Sequence, residues 1–145
     1  PASGKDISVE SRHFSESLLK GKETILFVED ESNVRTFVAS CLDEAGYTVL
    51  QASEGRKALA LVDGKLDTID LLLSDVVMPN MGGKELAKLL RQQKPDLKII
   101  YISGYTDETI AQTGMLEHGT IFMQKPFSAH DLLKLVRKTL DEEKA

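Results

Sequence analysis

Four places in this chain set polar, reactive side chains at the ends of apolar runs. The run 24–28 ends in Glu29-Asp30-Glu31, and the run 69–74 ends in Asp75. The run 97–102 leads to Ser103-Gly104, and 121–123 leads through Gln124 to Lys125-Pro126-Phe127. Two carboxylates about 4 Å apart repel by roughly 1 kcal/mol in water and about 4 kcal/mol at an effective dielectric near 20. Acids brought together therefore call for a proton or a cation. Oxygen-only ligands at an accessible cleft suit Mg²⁺, which keeps several waters and takes one or two carboxylates. A hydroxyl and an ammonium beside such a centre are the donors that phosphoryl oxygens need. Taken singly, Asp75 could open a loop, Ser103 could be a turn hydroxyl and Lys125 a solvated cation. Four such ends in one chain point instead to a shared site for phosphoryl chemistry.

For these residues to meet, the runs must be neighbouring strands pointing the same way. Each run lacks polar alternation, as expected of strands buried on both faces of a parallel sheet. Between them lie amphipathic stretches. Ser32 is the expected N-cap of a first helix with Val34, Val38, Cys41, Leu42 and Ala45 inward and Gly46 at its stop. Residues 47–52 read as a second strand, and residues 54–63 as a second helix closed by Gly64. Gly82-Gly83 opens a third helix with Leu86, Leu89 and Leu90 on one face, and Pro95 follows its end. Residues 106–116, rich in Thr, make a weak fourth helix. Ser128, with Asp131 three residues on, caps a last helix whose inner face is Leu132, Leu133, Val136 and Leu140. Strict β-α alternation gives an α/β fold with helices on both faces of the sheet. The flavodoxin-like strand order 2-1-3-4-5 places the two acid-ending strands, one and three, side by side.

Composition narrows the function further. A net charge of −5 and a pI near 5.2 argue against unaided binding to nucleic acid or an anionic membrane. The single cysteine, Cys41, excludes an internal disulfide framework and a cysteine-based zinc site, and fits a reducing cytoplasm. No apolar run approaches the roughly 20 residues of a membrane helix. Residues 1–22, polar and serine-rich, read as a linker or tail before a domain over 23–145. Because the chain opens on Pro1, we expect it to be a piece of a longer protein.

From residue 23 to residue 143 the chain resembles the receiver domain of two-component response regulators. The residues that carry the resemblance are Glu29-Asp30, Asp75, Ser103-Gly104 and Lys125-Pro126-Phe127, in matching order and spacing. The resemblance implies that Asp75 is the phosphoacceptor. It also implies that Glu29, Asp30, Asp75 and the main-chain carbonyl of Val77 place Mg²⁺, for which Mn²⁺ can substitute. Ser103 would bond a phosphoryl oxygen on switching, Lys125 would pair with the phosphoryl group, and the Lys125-Pro126 bond would be cis. The donor would be a phosphohistidine of a histidine kinase or a histidine phosphotransfer domain, in the cytoplasm. The switch position holds Phe122 rather than the commoner Tyr, so it offers no hydroxyl; Phe122 as permanent core is the competing reading. Val77 and Tyr105 flank the phosphoryl position, where we expect them to shield an acyl phosphate from water.

Two other functions stay in view. One is a Mg²⁺-dependent phosphohydrolase with an aspartyl-phosphate intermediate, which needs a second Asp where this chain has Val77. The other is an interaction-only receiver that is never phosphorylated. The linker-like 1–22 stretch, with residues 46–50 and 101–106, resembles receivers joined to hybrid sensor histidine kinases, and we expect a C-terminal receiver of such a kinase. In the family, the fourth helix, fifth strand and fifth helix form the usual output face, through which a homodimer can also form. We expect the fourth helix to be the mobile part of that face. His118 and His130 read as surface residues, and His13 lies in the tail.

Overall fold

The computed structural model describes residues 19–103 and 120–142. Five parallel strands, β1 (Thr24–Val28), β2 (Thr48–Ala52), β3 (Leu71–Asp75), β4 (Lys98–Ser103) and β5 (Thr120–Gln124), pair in the order β2-β1-β3-β4-β5. The helices are α1 (Ser32–Glu44), α2 (Gly55–Leu61), α3 (Gly83–Gln93) and α4 (Ala129–Asp141). The expected fourth helix over 106–116 lies outside the described residues, as do Tyr105 and His118.

The apolar runs are continuous because alternate residues of one strand serve two cores. Leu26, Val28, Leu72 and Ile99 pack with Ala58 of α2 and Leu86, Ala87 and Leu90 of α3. Ile25, Phe27, Leu71, Leu73, Ile100 and Ile102 pack with Val38 and Leu42 of α1 and Leu132 and Val136 of α4. A strand covered on both faces has no polar side to show in its sequence. Half-buried Cys41 joins the second core, as expected.

Several helix ends follow the expected chemistry. Gly46, at φ +101°, closes α1: its N–H donates to Asp43 O and that of Tyr47 to Leu42 O, the paired bonds of a Schellman stop. At α4, Ser128 Oγ accepts from the Asp131 N–H at 3.1 Å. The start of α1 differs from expectation. Its N-cap is Glu31, and Ser32 is already helical. The Glu31 N–H donates to Glu29 Oε2 at 3.1 Å, so the chain turns into the helix one residue early to serve a carboxylate. The inner face of α4 also differs slightly: Leu133 and Leu140 are half-buried, while Thr139 is buried, its hydroxyl donating to Leu135 O.

Candidate functional site

The strand order brings the carboxyl ends of β1 and β3 together, and β5 lies two strands beyond β3. Glu29 and Asp30 follow β1, Asp75 is the last residue of β3, and Lys125 follows β5. One oxygen from each of Glu29, Asp30 and Asp75 lies within 4.8 Å of the others. Glu29 is fully buried, Asp75 nearly so, and Asp30 is exposed. Lys125 Nζ stands 3.3 Å from Glu29 Oε1 and 3.5 Å from Asp75 Oδ2. Backbone bonds continue past the strand ends and fix both acid-bearing turns: Glu29 N–H donates to Ala52 O, and Val76 N–H to Ile102 O.

The electrostatics follow from burial. Desolvation, reinforced by the neighbouring Asp75 charge, pushes the Glu29 carboxyl up to about 7, against the opposing pull of the Glu31 N–H and Lys125. Burial likewise raises Asp75, opposed first by Lys125. For Lys125, burial pulls the ammonium down, but Asp75 and Glu29 outweigh it and hold it above its ordinary value. Glu29 Oε1 is within ion-pair distance of Lys125 yet lacks the alignment of a hydrogen bond, so this buried oxygen has no hydrogen-bond donor. An orphaned buried oxygen beside two further carboxylates, with oxygen donors only, fits a hard divalent cation.

The loop after Asp75 is held from several sides. Gly83 N–H donates to Val76 O at 2.9 Å, and Met81 N–H to Pro79 O at 2.8 Å around Asn80, whose φ is +70°. A Cβ on Gly83 would overlap the Asp75 carbonyl oxygen. Val77 in this loop is 60% exposed. Ser103 ends β4, half-buried, and its carbonyl accepts the Lys125 N–H at 2.8 Å. The Lys125-Pro126 bond is cis, as expected. Phe122 is half-buried, its ring centroid 5.3 Å from that of buried Tyr101. Tyr105 falls outside the described residues.

Three contributors were not foreseen. Arg35 Nη1 donates to Glu29 O at 2.7 Å, Ser74 Oγ donates to Asp75 O at 2.9 Å, and Gly83 presses on the same Asp75 carbonyl. Arg35 had a sequence signal, a cation one turn into the helix that follows the acids. The other two depend on packing between segments and had none.

Residues 25–137 match the family model of the response regulator receiver domain. The chain belongs to this family. The receiver domain is 38% identical over 125 residues to the sensor kinase CckA of Brucella abortus (strain 2308), an alignment covering 86% of this chain and 13% of that protein. It is 34% identical over 116 residues to the response regulator receiver protein CpdR of the same organism, covering 80% of this chain and 95% of CpdR. The crystal structure of the receiver domain from the hybrid histidine kinase CckA superposes with a TM-score of 0.70 at 36% identity, over 81% of this chain and 99% of that one. The chain is thus a receiver domain of two-component signalling with the 2-1-3-4-5 fold, and it spans only about an eighth of the sensor kinase it matches. Among the described residues, no helix is long and apolar enough to cross a membrane.

Proposed function

We propose that this receiver domain accepts a phosphoryl group on Asp75 from a phosphohistidine of a histidine kinase or histidine phosphotransfer domain. The observation that carries the reading is Lys125 Nζ within 3.5 Å of both Asp75 and Glu29, at a site formed by the ends of parallel strands. An Asp75 carboxylate oxygen attacks phosphorus in line; the new O–P bond forms as the N–P bond to imidazole breaks, and the imidazole nitrogen takes a proton. The Lys125 ammonium offsets charge on the equatorial oxygens. Asp30, Asp75, Glu29 and the Val77 carbonyl would hold Mg²⁺ or Mn²⁺, which when bound supplies further positive charge to those oxygens. The Ser103 hydroxyl donates to a phosphoryl oxygen in the switched state, and Phe122 is the aromatic group that repacks with it. Val77 and Tyr105 shield the acyl phosphate, and water later hydrolyses it.

The sensor-kinase relatives support a wider setting, that of a cytoplasmic receiver module within a hybrid histidine kinase. Its output face would be the region around β5 and α4, where a homodimer can also form. The test is incubation with a small phosphodonor and Mg²⁺, followed by intact mass. We expect the gain of one phosphoryl group, lost in Asp75→Ala; no gain under any donor would overturn the reading.

A further inference from the structure

At the opposite end of α4 from the carboxylate site, Arg137 ties its own helix to residues 20–23 and to Tyr47. Its Nη1 and Nη2 donate to Glu23 Oε1 at 3.1 Å and Oε2 at 2.5 Å, at the start of β1. Its Nε and Nη2 donate to Asp141 at 3.1 and 2.7 Å within α4. Its Nη1 also donates to Lys20 O at 3.1 Å and lies 3.4 Å from the hydroxyl of buried Tyr47. All five N–H groups of the guanidinium are used, four of them in two forked carboxylate pairs that favour one geometry. The incoming segment is packed down as well as bonded. Gly21 N–H donates to Ala45 O at 3.0 Å. A Cβ on Gly21 would overlap the Tyr47 ring and lie 2.6 Å from both Arg137 Nη1 and Glu23 Oε1.

The other end of the same helix begins at the site. Lys125, which faces Asp75 and Glu29, is three residues before the Ser128 cap. α4 has 13 residues and is therefore a rod of about 20 Å. Lys98 Nζ donates to Leu140 O and Glu142 O, fixing the helix's last carbonyls to the start of β4. Lys98 and Arg137 thus hold the same end of α4, and a displacement at Lys125 reaches Lys20 and Glu23 through the helix moving as one body.

We propose that α4 is a lever linking the charge state of the Asp75 site to the segment that leads into β1, with Arg137 as its clasp. A change in how Lys125 is held loosens residues 20–23, and strain on that segment in turn changes how Lys125 is held, because coupling between two sites is reciprocal. The device would couple the site to the segment before β1 as well as to the output face, of which α4 is a part. The part played by a phosphoryl group rests on the phosphoacceptor reading; the lever itself does not.

The test is amide hydrogen exchange at Gly21 in the full chain, since Gly21 N–H reports the docked state. One arm uses no phosphodonor and compares wild type, Lys125→Ala, Arg137→Met and the double variant, with Glu23→Gln as a second way to open the clasp without altering α4. We expect Lys125→Ala to speed Gly21 exchange by about threefold or more, a local opening short of global unfolding. In Arg137→Met and Glu23→Gln, Gly21 should exchange fast already, and Lys125→Ala should add nothing. Unchanged Gly21 exchange in Lys125→Ala, while amides in the first turn of α4 exchange faster, would overturn the lever. So would equal acceleration with and without Arg137. In the second arm, a small phosphodonor and Mg²⁺ are added and phosphorylation is followed by mass. Mass gain with altered Gly21 exchange supports a phosphoryl-driven lever, and mass gain with unaltered exchange refutes it. Absence of mass gain refutes the Asp75 reading instead, and the first arm still decides the lever.

Discussion

Gly83→Ala tests whether the turn after β3 is packed as tightly as the geometry says. On propensity alone, Ala should stabilise the start of α3, since Gly costs roughly 0.5–1 kcal/mol relative to Ala in a helix. The structure predicts the opposite sign. A Cβ at position 83 would overlap the Asp75 carbonyl oxygen and lie 3.1 Å from both the Asp75 carbonyl carbon and Ser74 Oγ. The two Asp75 atoms, including the nearest, are backbone. Asp75 belongs to β3 and is paired with Ile102, so relief must come from moving backbone. Overpacking of this kind costs about 1–3 kcal/mol. After the propensity gain, a net loss of up to about 2.5 kcal/mol remains, which for a domain of this size lowers Tm by up to roughly 10 °C. The backbone that moves carries the Asp75 carboxylate, and misplacing a reacting group by about 1 Å can cost about a hundredfold in rate. Thermal unfolding and the phosphorylation rate, measured well below Tm on the same protein, make the assay. A variant as stable as wild type and phosphorylated at the wild-type rate would refute the close-packing argument.

Other consequences can be measured separately. Lys125→Met should slow phosphorylation of Asp75 without preventing Mg²⁺ from stabilising the fold; a wild-type phosphorylation rate would remove Lys125 from the chemistry. Mg²⁺ should raise Tm in proportion to the logarithm of its concentration, about 2.7 kcal/mol at a hundred times Kd, and Asp30→Asn should lose most of that gain. An unchanged Mg²⁺ response in Asp30→Asn would mean that the cation binds elsewhere. The hydrogen bonds from Arg137 hold Glu23 below its ordinary value of 4.5. That contribution is fully present above the unfolded pKa and is lost as pH falls through the lower folded one, so Arg137→Met should make stability less sensitive to acid than in wild type. Equal acid sensitivity in both proteins would count against the pair. Val77→Asn with Tyr105→Ala should shorten the lifetime of the acyl phosphate; an unchanged dephosphorylation rate would end the shielding idea.

The strands and their order were legible because a doubly covered strand must be apolar throughout, and because acids at two strand ends have to be neighbours to share a counter-charge. The cis Lys125-Pro126 bond was available only through family resemblance, since nothing in the local composition demands it. Helix starts were less legible. Ser32 has the better capping side chain, but the Glu31 N–H is committed to Glu29 Oε2, and the helix begins accordingly. Thr139 looked polar to a pattern of apolar residues, yet its hydroxyl is satisfied by Leu135 O within the helix, leaving a methyl group to bury. Glu29 and Asp30 are adjacent in sequence, and nothing in their spacing says that one is fully buried and the other exposed. Arg137 and Glu23 are separated by 114 residues, and no local spacing announces such a pair.

The burial of Glu29 makes sense only when the site is considered as a whole. An acid whose folded pKa is about 7 against 4.5 when free weakens the fold once it is ionised, most of all above pH 7. Burying it as a neutral side chain would serve packing better. What the carboxylate contributes is unbalanced charge: three acids face one ammonium, and that ammonium is divided between Glu29 at 3.3 Å and Asp75 at 3.5 Å. Positive charge is therefore attracted to the site before any phosphoryl group arrives. On the phosphoacceptor reading, negative charge added at Asp75 would tip the division, drawing Lys125 away from Glu29 and towards the new oxygens. Lys125 is only three residues from the cap of α4, so such a redistribution would act directly on a helix rather than on a loose loop. On that reading, the same imbalance that costs stability at rest would give Lys125 a second set of partners, and a receiver requires a choice of that kind.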